Sequence, residues 1–137
     1  MIMAEEILIN GEDKVLGRIA SITAKELLKG RKIVIVNSEK CVVSGSPKVT
    51  ANSFRERLAR GDPYHGPFYP KIPDRMVRRV VRGMLPKTAR GKQALRGLKT
   101  FMSIPKEYEG KEFTKMEKAD NMLKGKYLTL QELVRKL

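Results

Sequence analysis

Residues 15–36 read VLGRIASITAKELLKGRKIVIV and carry two periodicities in succession. Leu16, Ile19, Ala20, Thr23 and Leu27 recur at the three-and-four spacing that aligns side chains on one face of an α-helix. Gly30 stands where a helix C-terminus favours a residue free to take positive φ. The run Ile33–Val36 is apolar and largely β-branched without alternation, the pattern of a strand buried on both faces. Upstream, EILIN at 6–10 reads as a short strand closed by Asn10-Gly11. Strand, helix and strand make a βαβ unit, which predicts a parallel sheet with a right-handed crossover.

Beyond this unit, Asn37–Lys40 predicts a turn and CVVSG at 41–45 a further short strand. A helix is expected over 50–60, ended by Gly61. The stretch 61–74, GDPYHGPFYPKIPD, holds four prolines, two glycines and three aromatics, so it predicts an ordered surface loop. Asp74, with Pro73 just ahead, is expected to cap the next helix. There Met76, Val77, Val80, Val81 and Met84 form an apolar stripe, with Arg75, Arg78, Arg79 and Arg82 largely on the other side. Pro86 stops that helix. Thr88 opens a short one running through Ala94 and Leu95 to Gly97. LKTFMSI at 98–104 reads as a returning strand, with either Leu98 and Phe101 or Thr100 and Met102 facing inward. Residues 105–120 are expected to loop over the surface. TLQELVRKL at 129–137 suggests a docked helix through Leu130, Leu133, Val134 and Leu137. There is no internal repeat.

A chain of 137 residues with 41% hydrophobic side chains is most simply one domain with a real core. Its net charge of +14 puts nucleic acid first among partners. The N-terminal MIMAEEILIN lacks a basic region and so is no secretory signal, and IVIV is too short to span a bilayer. The single cysteine, Cys41, has no internal disulfide partner, which makes a reduced, cytoplasmic location the expectation.

Catalytic signatures fail on inspection. Only Gly11 and Gly17 follow the first strand, so neither G-x-G-x-x-G nor a P-loop is met. The plainer reading gives Gly11 a turn that needs permissive backbone and Gly17 a close helix–sheet contact. His65, in PYHGP, is the only histidine and has no evident nucleophile or acid partner. Cys41 reads as a small buried hydrophobe. No metal-ligand spacing stands out. A nucleotide- or phosphate-metabolite enzyme on the α/β body remains the rival from another class, with little salt dependence of binding as its mark.

The charge is concentrated. From Arg75 to Lys106 there are ten basic residues and no acidic one. Like charges three and four apart destabilise a helix, and Arg75, Arg78, Arg79 and Arg82 make several such pairs. Phosphates would offset that repulsion, and guanidinium grips them bidentately. The turn GMLPKTARGK at 83–92 adds further donors on closely approachable backbone. Tyr64, His65, Phe68 and Tyr69 are candidates for base stacking, or equally for plugging their loop against the core. No DNA-reading motif and no aromatic RNP pattern is present, which leaves a backbone- and shape-reading binder suited to folded RNA.

VLGRIASITAKELLKG, KIVIVNSEKCVVSG and above all VRGMLPKTARGKQALRGLKTF resemble the large-subunit ribosomal protein thirteen family, from about residue 6 to 105. SFRERLARGDPYHGPFYPKIPDRMVRRVVRGMLP resembles its archaeal and eukaryotic branch, and the short length the archaeal type. The resemblance implies an α/β fold of three layers, α/β/α, around a parallel four-stranded sheet. It implies a single domain over 1–137, with a core of about 6–105 and a C-terminal extension of about 106–137. It implies a non-enzymatic constituent of the large ribosomal subunit, in the cytoplasm, supporting assembly and translation without cofactor, metal, membrane or small-molecule substrate. Its partners would be large-subunit rRNA and neighbouring ribosomal proteins. The implied RNA-facing residues of the helix–turn–helix segment are Arg75, Arg78, Arg79, Arg82, Lys87, Arg90, Lys92, Arg96 and Lys99, with Arg18 on the first helix as a further candidate. Apart from the resemblance, the loop's own aromatics make Tyr64, His65 and Tyr69 candidates for stacking on RNA, with packing on the core the equal alternative. A second rival, a messenger-RNA regulator acting off the ribosome, would be found mostly free of subunits.

Overall fold

Strand β1 (Glu6–Asn10) and strand β2 (Lys32–Val36) lie parallel, joined by helix α1 (Leu16–Leu28). The computed structural model describes residues 6–137 apart from Pro63, Pro67, Lys115 and Met116. Leu16, Ile19, Ala20, Thr23, Ala24 and Leu27 are the buried face of α1, as its periodicity predicts. Its end is a Schellman closure. Gly30 has φ +88°, its N–H donates to the Leu27 carbonyl at 3.0 Å, and Arg31 N–H donates to Glu26 at 3.3 Å. All four residues Ile33–Val36 are buried, because both faces of the sheet are covered.

The central strand β2 also pairs in parallel with β4 (Leu98–Thr100), so the parallel sheet has three strands in the order β1-β2-β4. The predicted strand at 41–45 is present as β3 (Val42–Ser44), but it does not join that sheet. It pairs antiparallel with β5 (Tyr127–Thr129), Val42 opposite Thr129. Asn37 makes the change of direction after β2, with φ +54° and a side-chain amide that donates to Asn10 Oδ1 at 3.0 Å.

Helix α2 spans Pro47–Ala59, starting earlier than expected because Pro47 fits the first turn, where its missing N–H costs nothing. Helix α3 runs Pro73–Met84 and α4 runs Ala89–Leu95. Asp74 is not the cap of α3. Ile72 holds that position, Pro73 opens the helix, and Asp74 sits in the first turn with Oδ1 accepting from Arg75 N at 2.9 Å. There its charge still suits the helix dipole. The apolar stripe is also shorter than its spacing suggests: Met76, Val77 and Val81 are buried, whereas Met84 is 45% exposed. Leu85 turns extended ahead of Pro86, as a residue before proline is biased to do, and it, not Met84, enters the core.

The strand expected over 98–104 ends at Thr100; Leu98 is buried in the main core, Phe101 beyond the strand packs against Val34, Val36 and Tyr108 in a second cluster, and Met102 is exposed. Residues 106–108 and 117–119 form single 3₁₀ turns, and the otherwise polar segment is anchored by buried Tyr108 and Ala119. Helix α5 (Leu130–Lys136) is started by a capping box, in which Thr129 Oγ1 accepts from Glu132 N while the Glu132 carboxylate accepts from Thr129 N. Leu128, Leu130 and Leu133 are buried in the same core as Ile9, Ile19, Ile33 and Val77. This packing docks TLQELVRKL on the chain's own core. Each such fully buried aliphatic side chain contributes roughly 1.5–3 kcal/mol.

Candidate nucleic-acid interface

Helix α3 buries Met76, Val77 and Val81 and so turns Arg75, Arg79 and Arg82 outward, all exposed. Arg78 takes a different place. It is half-buried, and its guanidinium donates to the Leu98 carbonyl at 2.7 Å and the Leu95 carbonyl at 3.4 Å. It therefore ties α3 to the end of α4 and the start of β4. Helical spacing put it on the polar face, but only the tertiary fold brings those carbonyls to it.

The turn between α3 and α4 is built on close backbone contact. A Cβ at Gly91 would lie 1.9 Å from the Pro86 carbonyl oxygen, so only glycine lets α4 fold back against that peptide. Thr88 caps α4 as expected, Oγ1 accepting from Gly91 N at 3.4 Å. The result is a cleft of about 650 Å³ between the helices, lined by Arg79, Arg82, Lys87 and Lys92 with Gly83 and Pro86 between them. Gly83 is exposed, and a Cβ there would meet nothing within 4 Å. No packing demand of this chain explains it; bare backbone on a cationic wall suits close approach of a sugar–phosphate strand.

A second cationic cleft, about 460 Å³, runs along another face of α4, between it and the α1–β2 junction. Arg90 and Arg96 line it together with Arg31 and Lys32. Arg90 is partly engaged, donating to the Leu28 carbonyl at 3.2 Å. Lys32, Arg96 and Lys99 also line a small neighbouring pocket with Glu6, none of them within ion-pair distance of it. The sequence reading missed Lys32. Only the parallel register reveals it, placing Ile33 beside Leu98 and Val34 beside Lys99 and so bringing the cationic start of β2 to α4 and β4.

Among the described residues, Arg18, Arg75, Arg82, Lys87, Lys92, Arg96 and Lys99 hold no ion pair. Arg79 lies over the Tyr69 ring, 5.3 Å from its centroid. Arg18 is exposed on α1 and does not line these clefts. Gly17 beside it is exposed as well, with open space where a Cβ would be, so it makes no close helix–sheet contact. Gly11 does serve close approach, a Cβ there lying 2.8 Å from Cys41 Sγ.

In the aromatic loop, whose Pro63 and Pro67 fall outside the described residues, Tyr64 is 87% and Phe68 74% exposed. His65 is exposed, its Nδ1 3.3 Å from Asp62 Oδ2. Cys41 is fully buried, and burial, then the charge of Glu39, pushes its thiol up to about 12, far from nucleophilic service. No group of three metal-ligating side chains occurs among the described residues, and no described helix is long and apolar enough to cross a membrane.

The family model described as ribosomal protein L13 matches residues 4–107. The large ribosomal subunit protein uL13 of Archaeoglobus fulgidus is 43% identical, the alignment covering 94% of this chain and 85% of that protein. Its namesake in Methanopyrus kandleri is 41% identical over 97% of this chain and 87% of the relative. For Saccharolobus solfataricus the identity is 37%, with 99% and 95% covered. The matched span contains the βαβ unit, the α3–α4 turn and both cationic clefts, and on this ground the chain belongs to the ribosomal protein L13 family.

Proposed function

We propose that the chain is a structural constituent of the large ribosomal subunit and that its α3–turn–α4 face lies against large-subunit rRNA. The large-subunit names of its relatives support the first part. One observation carries the second: the outward cations of this face have no acidic partner among the described residues. Folded RNA brings phosphates of separate strands together, and their repulsion has to be screened. Arginines fixed on a packed α/β body do so and hold the local RNA fold in place. On this reading Arg75, Arg79, Arg82, Lys87, Lys92, Arg96 and Lys99 face phosphate, Arg18 makes a separate contact, and Arg78 and Arg90 chiefly position the helices that carry the others. The reading assigns no catalytic step, and places the protein in the cytoplasm with the subunit.

We also infer one domain over 1–137, with the family's three-layer, four-stranded arrangement completed by the segment near Thr114. Thr114 N donates to the Leu8 carbonyl at 2.7 Å on the free edge of β1. Sedimentation of a native lysate at low magnesium tests the assignment. The protein should follow the large subunit at constant stoichiometry through a moderate salt wash. Recovery at the top of the gradient would overturn it and favour a free regulatory protein.

A further inference from the structure

We propose that the groove between the aromatic loop and α3 holds one unstacked nucleobase of rRNA, with Phe68 as its stacking platform. The proposal rests on the RNA-facing reading above and adds a base to a surface otherwise read as phosphate-binding. The groove has a volume of about 430 Å³ and is walled by Phe68 and Pro70, by Arg75, Arg79 and Arg82 of α3, and by Leu95 of α4. That lies low in the range of about 300–1,000 Å³ typical of small-ligand sites, so it suits a single nucleoside.

Phe68 is 74% exposed yet well placed. Gly66, with φ +71°, runs beneath its ring: a Cβ at that position would lie 3.0 Å from two of the ring carbons. The positive φ favours glycine there, and its bare backbone leaves room for a phenylalanine ring that the loop does not bury. Tyr69 has a different use, engaged with the Arg79 guanidinium at 5.3 Å. Tyr64 and His65 are exposed but do not line the groove.

The lining is chemically mixed in a way that selects the occupant. A flat apolar ring offers a face to a base, and the neighbouring guanidiniums offer donors to its edge or its phosphate. An apolar side chain from a protein would desolvate the same arginines without supplying acceptors. No acidic residue lines the groove.

The test is equilibrium binding of the full chain to purified large-subunit rRNA across a salt series, for the wild type and for Phe68→Ala, Phe68→Leu, Phe68→Trp and Arg82→Ala. None of these removes a core side chain, and circular dichroism confirms the fold. Stacking predicts that Phe68→Ala weakens binding about tenfold at every salt concentration, leaving the salt slope unchanged. Phe68→Leu should behave as alanine, and Phe68→Trp as wild type. Arg82→Ala should instead flatten the slope. Unchanged affinity of Phe68→Ala overturns the base site and leaves the phosphate surface standing. Full retention by Phe68→Leu overturns it in favour of an apolar contact. Wild-type binding without salt dependence overturns the phosphate reading and the base site together.

Discussion

Helices α1 and α3 are 13 and 12 residues long and pack against each other, yet they handle charge in opposite ways. On α1, Glu26 pairs with both Arg31 and Lys29. Burial alone would raise the Glu26 carboxyl, but the hydrogen bond and charge of Arg31, then those of Lys29, hold it below its usual value. On α3, Arg75, Arg79 and Arg82 have no acid to answer them among the described residues. Like-charge pairs at these spacings cost about 0.2–0.5 kcal/mol each. The one acid of α1 is paired within the chain, although Arg18 and Lys25 of that helix are not; the outward arginines of α3 hold no ion pair among the described residues. Shared packing with divergent charge separates the residues that hold the fold from those that face a partner.

The strongest way to break this comparison is at the shared packing. Val77 is fully buried on α3, so Val77→Asp places a carboxylate in the core. A loss of about 4 kcal/mol or more, enough to abolish a cooperative thermal melt, is expected. Gly91→Ala comes next. Its methyl cannot fit 1.9 Å from the Pro86 oxygen, so the α3–α4 turn must open at a cost of roughly 1–3 kcal/mol, and rRNA affinity should fall with it. A melt matching the wild type would show that the turn relaxes freely.

The pair Arg78→Ala and Arg82→Ala sharpens the contrast within α3. Removing Arg78 leaves the Leu95 and Leu98 carbonyls short of a charged donor and should cost about 1–3 kcal/mol in denaturant unfolding. Removing exposed Arg82 should change stability by less than about 0.5 kcal/mol. It should nevertheless lower the slope of log affinity against log salt by up to about 0.7–0.9, one phosphate contact. Equal effects of the two on stability would contradict the division. The smallest effect lies on α1. Because the folded-state carboxyl of Glu26 is lowered, its contribution is present above the ordinary carboxylate range and is lost as pH falls through the lowered value. Glu26→Gln should remove that acid-side loss, at a cost below about 1 kcal/mol at neutral pH, as pH-dependent unfolding would measure.

Much of this was legible in the residues. The face of α1, the buried run of β2, the Thr88 cap and the stop at Pro86 follow from periodicity and proline geometry, both local. What escaped the sequence depends on distant segments. Arg78 lies at a polar-face spacing, and the carbonyls that claim it come from residues 95 and 98. Met84 fits the apolar stripe by spacing, but it ends the helix 45% exposed, while the extended Leu85 after it takes the buried place in the core. Strand β3 was legible as a short strand but not its partner, because nothing near it announces Tyr127–Thr129. Lys32 went unnoticed for the same reason, being a neighbour of α4 only through sheet register.

The pairing of β3 with β5 has a consequence for biosynthesis. A ribosome delivers residues 42–44 long before residues 127–129, and Leu128, Leu130 and Leu133 complete a core whose other members come from earlier in the chain. Until that last segment leaves the exit tunnel, the nascent chain presents an unsealed apolar surface beside a strongly cationic one. Early engagement with nascent RNA would then catch an unfinished body, so closure of this hydrophobic seam sets the earliest moment at which the protein can act as a rigid scaffold.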